Sequence, residues 1–181
     1  MTDKLIIVPY DPEWPLLFRQ LGSMLRQALG TIALRIDHIG STSIVGLAAK
    51  PIIDIQISVA EFEPLALYRL PLEKLGYVFR ATNPELTKRY FREQPGERRT
   101  HIHVRRLGSW AEQLALLFRD YMRTHDEDVQ VYAKLKYDLA EKYQEDRQRY
   151  TEAKAPWIWE IMRKADRWSQ ETGWKPEPTD A

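Results

Sequence analysis

Apolar residues recur at spacings of three and four through Trp14, Leu17, Phe18, Leu21, Leu25 and Ala28, which predicts an amphipathic helix. Asp11 ahead of Pro12 supplies its start and Gly30 its stop. The period then changes to two. Thr31 to Ile39 alternates as a strand, with Ile32, Leu34, Ile36 and His38 on one face. Ile52 to Val59 alternates more strongly: Ile53, Ile55, Ile57 and Val59 share one face, and Ile52, Asp54, Gln56 and Ser58 the other. Lys4 to Tyr10 reads as a short strand or extended arm, and 77–80, 87–92 and 99–106 as three further strands, with Pro95-Gly96 turning between the last two. Glu61 to Leu75 is helical in pattern, and Pro71 is expected to kink or split it. Beyond about residue 109 only helical spacing remains. Ser109 and Glu112 form a capping box ahead of Trp110, Leu114, Leu117, Phe118 and Tyr121. Asp126 can cap a helix carrying Val129, Tyr132, Lys136, Leu139 and Tyr143, and a last helix runs near Thr151 to Trp168.

This order of elements predicts an α+β fold, a mixed sheet flanked by helices followed by a helical C-terminal third. One domain is expected over 1–170, with a loose tail at 171–181. Composition narrows the function. Lys and Arg number 27 against 26 Asp and Glu, so the chain has no overall cationic field for gripping nucleic acid or an anionic bilayer, and neither partner is expected. The absence of cysteine removes disulfides, thiolate metal sites and cysteine nucleophiles together. The longest mainly apolar stretch, Ile44 to Ile57, is interrupted by Lys50, Pro51, Asp54 and Gln56, so a cytoplasmic protein without a membrane span is expected.

Three features carry chemistry. Gly40-Ser41-Thr42-Ser43 follows a strand, and the next strand bears Asp54. Small residues let backbone amides and hydroxyls converge on an anion, and the carboxylate faces the same opening; a tight connection beside a buried aspartate has the same letters. His101 and His103 are two apart on a predicted strand, so both imidazoles point one way and can ligate a metal or act as base and anchor. Between Arg80 and Arg106, eight basic residues meet three acidic ones, enough for a phosphorylated ligand and also what an exposed hairpin face carries.

Val8-Pro9-Tyr10-Asp11-Pro12-Glu13-Trp14, Asp37-His38-Ile39-Gly40-Ser41-Thr42-Ser43 and Gly46-Leu47-Ala48-Ala49-Lys50-Pro51-Ile52-Ile53-Asp54-Ile55 resemble the GrpB family (UPF0157). So do His101-Ile102-His103-Val104, Phe118-Arg119-Asp120-Tyr121-Met122-Arg123, Tyr132-Ala133-Lys134-Leu135-Lys136 and Tyr150-Thr151-Glu152-Ala153-Lys154. The resemblance runs from about residue 5 to residue 168 and implies a nucleotidyltransferase-like fold. That superfamily places Gly-Ser after one strand and two acids, two apart, on the next. Gly40, Ser41 and Asp54 match, whereas Gln56 stands at the second acid, which removes a ligand from any two-metal arrangement.

Three readings follow. The first is coenzyme A-dependent acyl transfer to an aminosugar or aminoglycoside-like acceptor, using acetyl-CoA or another nucleotide-type donor. Here His101 or His103 acts as base with Asp54. Gly40, Ser41, Thr42, Ser43, Lys50, Arg89, Arg92, Arg99 and Arg105 bind the cofactor, and Asp37, His38, Asp54 and Gln56 bind the acceptor. The second is nucleotidyl transfer to a small polar molecule with one divalent metal on Asp54, His101 and His103. The third is a non-catalytic module linked to coenzyme A metabolism, because some members of the family are fused to dephospho-coenzyme A kinase.

Overall fold

The computed structural model describes residues 5–181, so Lys4 lies outside the described residues. In the arm ahead of the first helix, Val8 bridges to Ala49 and the Leu5 amide donates to the Gln144 carbonyl at 3.2 Å. Helix α1 spans Glu13–Leu29. The Asp11 carboxylate accepts the Glu13 amide at 2.9 Å, which starts the helix as the sequence predicts. Its buried stripe includes Phe18, Leu25 and Leu29, each contributing about 1.5–3 kcal/mol of transfer free energy.

The strand expected from Thr31 begins only at β1, Arg35–Ile39. Gly30 leaves the helix at positive φ, and Gly30–Ile32 closes a 3-10 turn instead, with the Gly30 carbonyl held by Arg26. Strands β2 (Ile53–Val59), β3 (Val78–Phe79), β4 (Arg89–Arg92) and β5 (Thr100–Arg106) complete a sheet of order β1-β2-β5-β4-β3. Only β2 and β5 run parallel; the other pairs are antiparallel. One face carries Ile36, Ile53, Ile55, Ile57, Phe91, Ile102 and Val104 into a core beneath α1 and α2 (Ala66–Lys74). Pro71 sits inside α2 without splitting it, and the helix is shorter at its start than the pattern implied.

The opposite face is polar, and the register aligns it in rows. Ile39, Asp54, His101 and Arg92 lie across from one another, and next to them Asp37, Gln56, His103 and Tyr90. The helical third closes over part of this face with α3 (Trp110–Arg123), α4 (Asp126–Lys142) and α5 (Arg147–Thr172). Their shared core holds Tyr121, Met122, Tyr132, Ile161 and Met162, and Ile44, Leu47 and Ala48 plug into it from the loop after β1.

The capping box does not close as expected. Ser109 makes no side-chain cap bond; Glu112 accepts from the Gly108 amide at 3.1 Å and from Ser58 Oγ at 2.8 Å, fastening α3 to β2. Asp126 is the first helical residue of α4 and its side chain caps nothing. The last helix starts earlier than predicted, because Asp146 caps it by accepting the Arg149 amide. The tail departs most from expectation. Ala181 N donates to the Ile36 carbonyl, Thr179 Oγ1 accepts from Ile36 N at 2.8 Å, and Asp180 accepts from His38 N at 2.9 Å. β1 is an edge strand with open backbone groups, and the tail satisfies them. No helix among the described residues is long and apolar enough to cross a membrane.

Candidate functional site

The parallel pairing of β2 and β5 sets Asp54 beside His101, and strand alternation brings His103 to the same face. Asp54 Oδ1 lies 3.3 Å from His101 Nδ1 and 3.2 Å from His103 Nε2. Gly40 closes the group from the side. Its φ is +70°, and a Cβ there would stand 2.8 Å from Asp54 Oδ2, so both the backbone angle and the approach demand glycine. Burial works to raise the Asp54 carboxyl, but the hydrogen bonds from both imidazoles outweigh it and hold the group ionised well below the usual carboxylate range. Burial lowers His103, partly offset by Asp54.

The donor atoms of these three side chains lie within 4.8 Å of one another, as one divalent cation requires. One hard carboxylate oxygen with two imidazole nitrogens suits a borderline metal such as manganese or zinc better than magnesium alone. The residues present therefore fit a single cation; Gln56 leaves no second carboxylate for a pair.

A cavity of about 480 Å³ opens on one side of this group, bounded by Ser41, Thr42, Lys50, Lys136, Arg147 and Lys154 among others. Lys50 and Lys154 each lie over the Tyr150 ring at 4.6 Å from its centroid. Burial lowers Lys50 to about 8, with Arg147, Lys154 and Arg99 adding repulsion. Burial also lowers Lys154 and, further, Lys136, whose ammonium donates to the Ala48 carbonyl at 2.6 Å. Lys50, Arg147 and Lys154 have no carboxylate partner among the described residues, so the cavity has a surplus of positive charge.

A second cavity, of about 540 Å³, meets the first at Ser41, Asp54 and His103. Its walls are mostly apolar, from Ile39, Trp110, Leu114, Phe118, Ile158 and Met162, with Glu85 and Arg105 at its edge.

Of the residues expected at the site, the structure brings Gly40, Ser41, Thr42, Lys50, Asp54, His101 and His103 together around the two cavities. Other expected residues lie elsewhere, each because a different partner satisfies it. Asp37 is fully buried against Arg35 and Arg119. His38 points into the α1 layer, stacked on Phe18 at 4.8 Å and bonded to Thr42 Oγ1. Thr42 gives its own proton to the Ile52 carbonyl, so His38 Nε2 donates and the ring orients Thr42. Gln56 donates to the Glu112 carbonyl, and Ser43 Oγ is held by the Gly40 carbonyl. Of the predicted arginines, Arg89 lies over Phe62 on the opposite face, and Arg92 pairs with Glu93. Arg99 lines a side recess with Lys50 and Arg147, and Arg105 edges the apolar cavity in a pair with Glu85. Lys136, Arg147, Tyr150 and Lys154 were missed. A lysine inside the apolar stripe of α4 is the signal that marks Lys136.

The five-stranded mixed sheet with a helical third over its polar face is the nucleotidyltransferase-like fold. The model of the GrpB protein family matches residues 4–164, and the chain belongs to that family. A UPF0157 protein of Halalkalibacterium halodurans is 36% identical over 163 residues, covering 90% of this chain and 83% of the relative. Another from Pseudomonas aeruginosa is 39% identical, covering 90% of this chain and 68% of the relative. The dephospho-CoA kinase of Mycolicibacterium paratuberculosis is 34% identical over 94% of this chain, which spans only 48% of that protein. The crystal structure of GrpB from Enterococcus faecalis superposes with a TM-score of 0.81 at 34% identity, covering 88% of this chain and 96% of that one. Cid1 in complex with the UTP analogue UMPNPP shares the fold alone, with a TM-score of 0.51 at 15% identity over 76% of this chain and 44% of that one.

Proposed function

We propose that the protein transfers a nucleotidyl group from a nucleoside triphosphate to a small-molecule acceptor, with a single divalent cation on Asp54, His101 and His103. The observation that carries this reading is the meeting of that three-atom donor group with a cavity of unpaired cations, Lys50, Arg147 and Lys154. The cation, when bound, neutralises charge developing on the transferred phosphoryl group. The remaining work falls to the chain. Lys50, Lys136, Arg147 and Lys154 hold the polyphosphate and stabilise the departing pyrophosphate. Ser41, between the two cavities, orients the reacting phosphate through its hydroxyl. Asp54 Oδ2, the oxygen that the imidazoles leave free, accepts the acceptor's proton. A carboxylate this acidic is a weak base, but phosphoryl transfer passes through a loose transition state that asks little of one.

The Cid1 complex with a UTP analogue supports a nucleotide donor through the shared fold, and the likeness to dephospho-CoA kinase sets the family beside a nucleotide-dependent reaction. Acyl transfer from coenzyme A would use the same cationic cavity, but it needs a free imidazole as base and gives no role to three converging donor atoms. Thermal shift separates the readings. ATP or UTP with Mn²⁺ is expected to raise the melting temperature, and Lys50→Ala together with Lys154→Ala to remove most of that rise. Stabilisation by acetyl-CoA without metal overturns the reading in favour of acyl transfer, and silence from every ligand favours a non-catalytic module.

A further inference from the structure

The apolar cavity meets the cationic one at Ser41, Asp54 and His103, and this contiguity points to its occupant. In-line displacement at phosphorus places the entering nucleophile opposite the leaving group. If pyrophosphate leaves among Lys50, Arg147 and Lys154, the nucleophile enters from the side walled by Trp110, Leu114, Phe118 and Met162. We infer that this cavity is the acceptor site and that the acceptor is a molecule with a flat, apolar or aromatic body bearing one hydroxyl or amine.

Three observations support that chemistry. The cavity holds about 540 Å³, enough for a fused aromatic body or a branched aliphatic one. Its aromatic surface is accessible: the Trp110 side chain begins α3 and is 75% exposed, a position that gains by covering its ring. Its carboxylates already have partners. Glu85 is bound by Arg105 at 2.9 Å and by Lys88 at 2.7 Å, and Asp54 lies between two imidazoles, so a cationic aminosugar meets little negative charge beyond Asp54 itself. The aminoglycoside-like acceptor expected from the sequence would have to compete with the partners that Glu85 and Asp54 already hold.

The step balances within the proposed reaction. The acceptor's hydroxyl oxygen forms a bond to the α-phosphorus as the bond from that phosphorus to the bridging oxygen breaks. Pyrophosphate leaves with the bonding pair into the lysine cavity, and the hydroxyl proton passes to Asp54 Oδ2 and then to water. This assignment rests on the nucleotidyl-transfer reading for its direction, but the cavity's preference can be measured by itself.

The test measures binding of 2-naphthol and of glucosamine to the full chain by isothermal titration, with inorganic pyrophosphate titrated in parallel. Saturable binding of 2-naphthol is expected, weakened about tenfold or more by Ala115→Trp, which fills the cavity, and severalfold by Trp110→Ala. Pyrophosphate affinity is expected to be the same in both variants. Trp110 is exposed, so Trp110→Ala decides the matter should Ala115→Trp fail to fold. No saturable binding of 2-naphthol, binding indifferent to both substitutions, or glucosamine binding that Ala115→Trp removes overturns the assignment. Failure of pyrophosphate to bind wild type, with 2-naphthol still bound, instead overturns the phosphate reading and leaves an apolar ligand site.

Discussion

On β1, Asp37 lies between Arg35 and Arg119; one strand away on β2, on the same face of the sheet, Asp54 lies between His101 and His103. The two clusters use similar letters and differ in how completely they are paired. Around Asp37 each carboxylate meets a guanidinium, although Arg119 Nη2 makes no hydrogen bond. Arg35 binds Asp37 at 2.8 Å, and Arg119 binds Asp120 at 2.7 Å and Asp180 at 2.8 Å with its own side chain fully buried. Around Asp54 the pairing stays open, because Lys50, Arg147 and Lys154 in the adjoining cavity make no ion pair among the described residues and face Asp54 alone. Burial raises Asp37 despite Arg35, whereas the imidazoles hold Asp54 down. A closed cluster fixes the sheet edge to α3 and the tail. An open one leaves charge for a ligand to satisfy.

The most severe break in this comparison should come from Arg119→Ala. It takes the guanidinium from Asp120 and Asp180 and leaves the buried Asp37 with Arg35 alone, and should cost about 3–5 kcal/mol, read from urea denaturation. Arg119→Lys should recover less than half of the loss, since an ammonium cannot span several carboxylates as the planar guanidinium does. Asp54→Asn should cost less in the same denaturation than Arg119→Ala, because an amide oxygen still accepts from the imidazoles, while abolishing the stabilisation by Mn²⁺. Equal losses from the two sites would erase the distinction between them.

A smaller effect concerns His38, the histidine that belongs to the closed region. Burial lowers it to about 3, with Arg123 adding to the effect. Its ordinary value is 6.5, so the unfolded chain takes up the proton before the native one does. The stability that its neutral form supplies is present above about pH 6.5 and is lost as pH falls toward 3, on the order of 2–4 kcal/mol. Melting curves across that window should fall less steeply for His38→Phe, which keeps the stacking on Phe18 and cannot take up a proton. An equal slope in both proteins would remove His38 from the acid response.

The sheet and its polar face were readable because their signals are local. Alternation through Ile53, Ile55 and Ile57 sets which way Asp54 points, and His101 and His103 declare their shared face by spacing alone. The Gly40-Ser41 turn announces itself because glycine is required where the chain passes Asp54. What spacing does not carry is pairing over long sequence distance. Asp37 and Arg119 are 82 positions apart, so nothing near Asp37 shows that it is already satisfied. The basic hairpin misled because a net charge does not show which arginines are paired. Arg92, Arg99 and Arg105 meet Glu93 and Glu85, while the cations left over are Lys50, ahead of β2, and Arg147 and Lys154 of α5. The tail looked loose because its prolines and charges were weighed without the open strand edge that it covers.

The smallest effect expected is also the one that most directly probes the open cluster. Burial and repulsion from Arg147, Lys154 and Arg99 bring Lys50 to about 8, so near neutral pH it already sits close to losing its proton. A bound polyphosphate reverses that repulsion and favours the charged form, so binding should draw a proton onto Lys50. ATP affinity should therefore be greatest below about pH 8 and fall as pH rises through that value, by up to about tenfold over the next pH unit or two. ATP's own charge is constant in that range and does not confuse the readout. Lys50→Met should bind more weakly at neutral pH and lose part of the slope, with Lys154 supplying the remainder because burial lowers it too. A Lys50→Met protein with wild-type affinity and wild-type slope would mean that the surplus charge is not directed at a ligand. The difference between the two clusters would then be one of exposure and not of function.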